Sequence, residues 1–132
     1  MTSLNSDISE INAPAATAFA YLSNMNNWQS LMPEQVSKWE SAEANCSFVL
    51  AGMAHIGMRI EELQSHSLIR IQSEGKSPFP FELRVKLAET GTSTCTVQLF
   101  FEGDMNTMMR MMAEKPLGNF FNYLSHKMRG IH

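Results

Sequence analysis

The stretch Met105–Arg129, MNTMMRMMAEKPLGNFFNYLSHKMR, constrains the rest of the chain more than any other. At about 100° per residue, Met105, Met109, Met112, Pro116, Phe120, Tyr123 and Leu124 fall on one helical stripe. Met108, Leu117, Phe121 and Met128 flank that stripe, while Glu114, Lys115, Gly118, Asn122, Ser125 and Arg129 share the opposite side. A helix of about 25 residues runs roughly 37 Å, long enough to cross a small domain. An apolar face this wide asks for a surface that curves round it. Asp104 or Asn106 is placed to cap the helix start and Gly130 to end it.

Five of the eleven methionines lie between Met105 and Met112. Methionine is flexible and polarizable, and it fills irregular apolar space. The run therefore suits an ordinary core helix or a helix that lines an apolar cavity. Pro116 has no N–H to give the carbonyl of Met112, and its ring crowds that carbonyl, so a kink is expected there.

The remainder of the chain reads as short elements that build the curving surface. Residues 3–12 read as a strand. Asn12 is a plausible N-cap for a helix over about 14–22, with Pro14 in its first turn and Ala18, Phe19 and Leu22 on its buried face. A second short helix starts at Asn24, carries Trp28, Leu31 and Met32, and stops at Pro33. From Glu34 the apolar period changes to two. Strands are expected over 34–40, 45–51, 54–63, 68–74, 79–88 and 94–103, with turns at Gly52, at Gln64–Ser67 and at Thr90-Gly91. Over 79–88, Phe79, Phe81, Leu83, Val85 and Leu87 face one way, and Glu82, Arg84 and Lys86 the other. Over 94–103, Cys95, Val97, Leu99 and Phe101 face in, and Phe100 is an aromatic exception on the outer face. Local hairpins imply an antiparallel sheet with one wet face. The dry face must be covered, and the last helix is the only element long enough to cover it.

The 132 residues suit one domain, residues 1–132, with a single core. A net charge of −3 without a basic block argues against a nucleic-acid partner. Residues 1–12 are polar and do not resemble a signal peptide, and no apolar run approaches the ~18 residues of a membrane span. A cytoplasmic protein is expected. Cys46 and Cys95 then read as buried reduced thiols. His55, His66, His126 and His132 show no metal-ligand spacing, and no phosphate-binding loop or nucleophile elbow is present. No metal or other cofactor is expected, and the sequence leaves the oligomeric state open.

The segment EINAPAATAFAYLSNMNNWQSLMP resembles the opening of the START/birch-pollen-allergen-like superfamily, which includes the polyketide cyclase/dehydrase and lipid transport type. Ala13-Pro14 and Trp28…Pro33 hold the matching positions, and the order of six strands and a long last helix is similar over essentially the whole chain. The resemblance implies an α+β helix-grip fold. In it a seven-stranded curved antiparallel sheet wraps the C-terminal helix, with two short helices after strand 1 and a cavity between sheet and helix. It also implies lipid, steroid or polyketide ligands, with no shared catalytic motif to transfer.

Alternation points Phe48, Met58, Phe81, Leu83, Leu99 and Phe101 at such a cavity, and the helix stripe adds Met109, Met112, Phe120 and Tyr123, with Asn119 beside it. These residues are expected to bind an apolar or amphipathic small molecule, Tyr123 and Asn119 supplying polar contacts. Glu62 is expected to continue the inward face of its strand at the rim. Two alternatives stay open. A cofactor-independent cyclase- or dehydratase-like enzyme would use His55 or Glu62, and a one-residue slip of strand 54–63 would bring His55, Arg59 and Glu61 inward together. A protein-interaction module would have its interior simply filled. No catalytic residue is assigned.

Overall fold

The computed structural model describes residues 2–51, 54–75 and 77–131, so the turn expected at Gly52 lies outside the described residues. The first expected strand is two, β1 (Thr2–Asn5) and β2 (Ser9–Ile11), both antiparallel to the same neighbour, Thr94–Gly103. The break between them is satisfied. Ser6 N–H donates to the carbonyl of Leu99 and Ser6 Oγ accepts from Leu99 N–H, each at 2.9 Å.

Helix α1 (Ala15–Leu22) follows without a side-chain cap. The expected cap, Asn12, is exposed. The chain enters through extended Pro14, whose carbonyl accepts from Thr17 and Ala18. The next helix is a 3-10 helix over Met25–Leu31, capped by Asn24 Oδ1, which accepts from Asn26 N–H at 3.0 Å. Met25, Trp28 and Leu31 are buried at a spacing of three, the period at which 3-10 side chains stack on one side. Trp28 Nε1–H donates to the carbonyl of Leu22 at 2.9 Å and so satisfies an orphan acceptor at the end of α1.

The remaining strands are β3 (Val36–Ser41), β4 (Asn45–Leu50), β5 (Ala54–Gln64), β6 (Leu68–Ser73), β7 (Phe81–Gly91) and β8 (Thr94–Gly103). The sheet order is β1-β8-β7-β6-β5-β4-β3, with β2 also on β8, and every pairing is antiparallel. Counting β1 and β2 as one interrupted strand, the sheet has the seven positions expected of the helix-grip fold. Alternation holds where the sequence read it: Phe48, Met58, Ile69, Ile71, Leu83, Val85, Val97 and Leu99 are buried on one face. The outer face is polar, and Lys86 covers the outward ring of Phe100 at 4.7 Å.

The last helix, α2 (Thr107–Lys127), ends in a 3-10 turn over Met128–Gly130. Asn106 caps it, its Oδ1 accepting from Met109 N–H at 2.8 Å. Pro116 lies inside the helix on its exposed side. The buried side chains of α2 are Ala113, Leu117, Phe120, Phe121, Leu124 and Ser125, followed by Met128. The buried face is thus rotated by roughly one residue, about 100°, from the expected stripe. Met112, Met108, Met111 and Tyr123 are exposed, while Ser125, expected on the polar back, is fully buried.

The break in the first strand accounts for that rotation. It presents polar groups, and the helix turns its own polar groups toward them. Ser125 Oγ donates to the carbonyl of Asp7 at 2.8 Å and lies 2.8 Å from Ser9 Oγ. Asn122 Oδ1 accepts from Asp7 N–H at 2.7 Å, His126 Nε2 meets Asp7 Oδ2 at 3.0 Å, and Arg129 Nε donates to Ser9 Oγ at 3.3 Å. A buried hydroxyl is costly only when unpaired, and here each has its partner.

Candidate functional site: a groove between sheet and last helix

Leu50 and Ala51, at the end of β4, face α2 across a groove of about 420 Å³. Pro116, Asn119, Phe120 and Tyr123 line it from the helix together with Lys115, and Pro33 and Gln35 close the end beside the 3-10 helix. Its volume falls in the range of small-molecule sites, and the lining combines apolar surface with a few polar groups. Lys115 and Tyr123 are its titratable side chains.

Phe120 also lines a second, inner space of about 10 Å³. That is no more than one water molecule needs. The interior is filled by rings in mutual contact. Trp39 stacks on Phe48 at 5.6 Å, Phe48 meets Phe120 at 5.9 Å, and Phe120 meets Phe121 at 5.4 Å. Phe121 lies 5.1 Å from Phe101, and Phe101 lies 5.5 Å from Phe81 and 6.2 Å from Phe79. Tilted and edge-on pairs of this kind are favourable beyond the area they bury. Phe120 therefore stands between an open groove and an aromatic interior.

The residues expected at the site divide into three sets. Phe48, Met58, Phe81, Phe101 and Phe120 line the inner space. Asn119, Phe120 and Tyr123 line the groove. The third set lines neither: Leu83 and Leu99 are sealed in the core, Met109 is half-buried against it, and Met112 is 69% exposed. For Met112 this corrects the expected orientation, and the helix rotation is its cause. The groove also recruits Pro33, Gln35, Ala51 and Lys115, which the sequence did not assign to a site. The expected stripe leaves Lys115 on the opposite, polar side of the helix. Pro33 and Gln35 reach the site only because the 3-10 helix packs on β3 and β4.

The acid–base candidates lie elsewhere. The register of β5 keeps Ile56 and Met58 buried and leaves His55, Arg59 and Glu61 exposed, so the slipped register is not adopted. Arg59 pairs with Glu61 at 2.6 Å. Glu62 is corrected from the inner rim to the outer face. A register shift between Ile60 and Glu62 inserts an extra residue and sets Glu62 opposite Arg70. Gln64 donates to Glu62 at 2.7 Å and Arg70 pairs with it at 3.0 Å. The hydrogen bond from Gln64, then that from Arg70, holds its carboxyl below the usual carboxylate range. Cys46 and Cys95 are buried free thiols, and burial, with Glu74 adding to it, pushes the Cys46 thiol up to about 12. Among the described residues no group of three or more His, Cys, Asp or Glu is placed to hold a metal ion, and no helix is long and apolar enough to cross a membrane.

Comparison with known proteins gave one family and many structures. The model of the family described as polyketide cyclase / dehydrase and lipid transport matches residues 1–125. No curated protein sequence matches the chain. Among solved structures it is similar to a START superfamily protein from Mycobacterium smegmatis, with a TM-score of 0.67 at 13% identity over 97% of this chain and 94% of that one. It is also similar to a norcoclaurine synthase point mutant from Thalictrum flavum in complex with a transition state analogue. That match has a TM-score of 0.70 at 12% identity, over 94% of this chain and 91% of that one. A third is the di-domain ARO/CYC BexL from the BE-7585A biosynthetic pathway, with a TM-score of 0.66 at 13% identity, covering 96% of this chain and 46% of that one. At these identities the structural likenesses establish the fold.

Proposed function

Since the chain belongs to the polyketide cyclase / dehydrase and lipid transport family, we propose that it binds an apolar or amphipathic small molecule, of lipid or polyketide type, in the groove between sheet and last helix. The observation that carries this reading is the dual position of Phe120. It lines the groove of about 420 Å³ and the inner aromatic space alike. A ligand of groove size rests its apolar part on Leu50, Pro116 and Phe120 and its polar part near Gln35, Lys115, Asn119 and Tyr123.

An environment-sensitive apolar dye tests this. Binding near micromolar affinity, about −8 kcal/mol, is expected for the folded protein. Asn119→Trp fills the groove from an exposed helix position and should weaken binding at least about tenfold while the melt stays unchanged. His55→Ala should bind the dye like the parent. A folded protein that takes up no dye, or an Asn119→Trp variant that binds like the parent, removes the groove as the site.

A cofactor-free cyclase- or dehydratase-like activity is the second reading, favoured by one observation: Lys115 and Tyr123 share the groove. An amine and a phenol within reach of a ligand are general acid–base candidates. Tyr123→Phe separates the two readings, since it should abolish turnover in an enzyme and leave dye affinity nearly unchanged in a carrier.

A further inference from the structure

The first half of α2 rests on the protein through few side chains, Ala113 and half-buried Met109. Of Thr107–Pro116, Ala113 alone is buried. Met108, Met111 and Met112 are 72%, 79% and 69% exposed. Their spacings of three and four residues set them side by side on one face, and Lys115, three and four residues further on, lies next to Met112 and Met111. The charge balance of this element opposes that of the chain. Arg110, Lys115, Lys127 and Arg129 stand against Glu114 alone over residues 107–130, in a protein of net charge −3.

We propose that this face docks on an anionic lipid bilayer. Adjacent long apolar side chains with the Lys115 cation beside them suit the boundary between acyl chains and negatively charged headgroups. Methionine adapts to the disordered apolar layer better than a branched side chain does. A second copy of the chain using the same face about a two-fold axis would bring Lys115 toward its own counterpart, and like charges oppose that contact. The docking face adjoins the groove through Lys115 and Pro116, yet it rests on exposure and charge and not on what the groove holds.

Vesicle flotation tests the proposal. The parent protein is expected to float with vesicles of phosphatidylcholine plus phosphatidylglycerol, not with phosphatidylcholine alone, and added salt should release it. The double variant Met108→Glu, Met112→Glu changes exposed positions only, and its fold is checked by circular dichroism. It should lose at least about tenfold in vesicle affinity, and Lys115→Glu about as much. Leu63→Glu, which alters an exposed apolar residue on β5, should float like the parent. Because dye uptake is read separately, loss of flotation with dye binding intact is the expected signature of the double variant. Equal binding to both vesicle types, no flotation of the parent, or variants that float like the parent would overturn the proposal. So would a dimer that the double variant dissolves in the absence of any vesicle binding, which would give the face to a second copy.

Discussion

Leu99 and Gln98 are neighbours on β8 with opposite surroundings. Leu99 is 1% exposed in the core, and Leu99→Asp forces a charge into an interior with no partner for it. That variant is expected not to fold stably. Gln98 faces out, and alternation alone makes Gln98→Asp silent. The structure changes that expectation, because Gln98 Nε2–H donates to the carbonyl of Ser6 at 2.9 Å, at the break in the first strand. A carboxylate there offers no donor and faces a carbonyl oxygen. Gln98→Asp should cost about 1 kcal/mol, against a loss large enough in Leu99→Asp to abolish the folding transition. Urea denaturation of the two variants measures this, and equal losses would contradict the strand's facing.

At the scale of elements, α2 is two helices in one. Its second half is held by the aromatic cluster and by the hydrogen bonds of Asn122, Ser125, His126 and Arg129 to the interrupted first strand. Its first half is held by a cap, by buried Ala113 and by half-buried Met109. Pro116 sits at the junction, exposed, and withholds the N–H that the carbonyl of Met112 would accept. Pro116→Ala restores that donor, offset by a more flexible unfolded chain. Stability should stay within about 1 kcal/mol or rise. Because Pro116 lines the groove, dye affinity should shift as well. Raised stability with unchanged affinity, read from a melt beside a titration, would leave the proline no part in binding.

At the scale of the molecule, the buried thiols report whether the sheet opens. Cys46 is on the inner face of β4, near the edge of the sheet formed by β3, and its thiol is pushed up to about 12 by burial and then by Glu74. A folded value above the ordinary one of 9.0 means that the protonated form is favoured by folding. That contribution is complete below about pH 9 and is lost as the pH rises through about 12. Melting temperature should therefore fall over that alkaline window. At pH 8 neither cysteine should react with a chromogenic thiol reagent until denaturant is added. Rapid reaction of Cys46 in the native protein, identified by mass spectrometry of the labelled peptide, would show that the β3–β4 edge opens.

The strands after the first, most of their inward faces, a short helix carrying Trp28 and a cap at Asp104 or Asn106 were legible in the sequence. Each depends on periodicity or capping chemistry within a few residues. The rotation of α2 was not legible. It depends on Ser9 meeting Ser125 and Asp7 meeting His126 across more than a hundred residues, and no local pattern encodes such a pair. The outward turn of Glu62 was hidden for a related reason, since one extra residue after Ile60 reverses the facing and only the pairing with β6 places it. Part of the groove was foreseen through Asn119, Phe120 and Tyr123. The rest came from packing, which brought Pro33, Gln35 and Ala51 to the helix and let aromatic rings fill the space behind it. Local chemistry determined which elements form and which face of each strand is apolar. Tertiary packing decided which face of the last helix is buried, because buried polar groups must find partners and those partners lay at the other end of the chain.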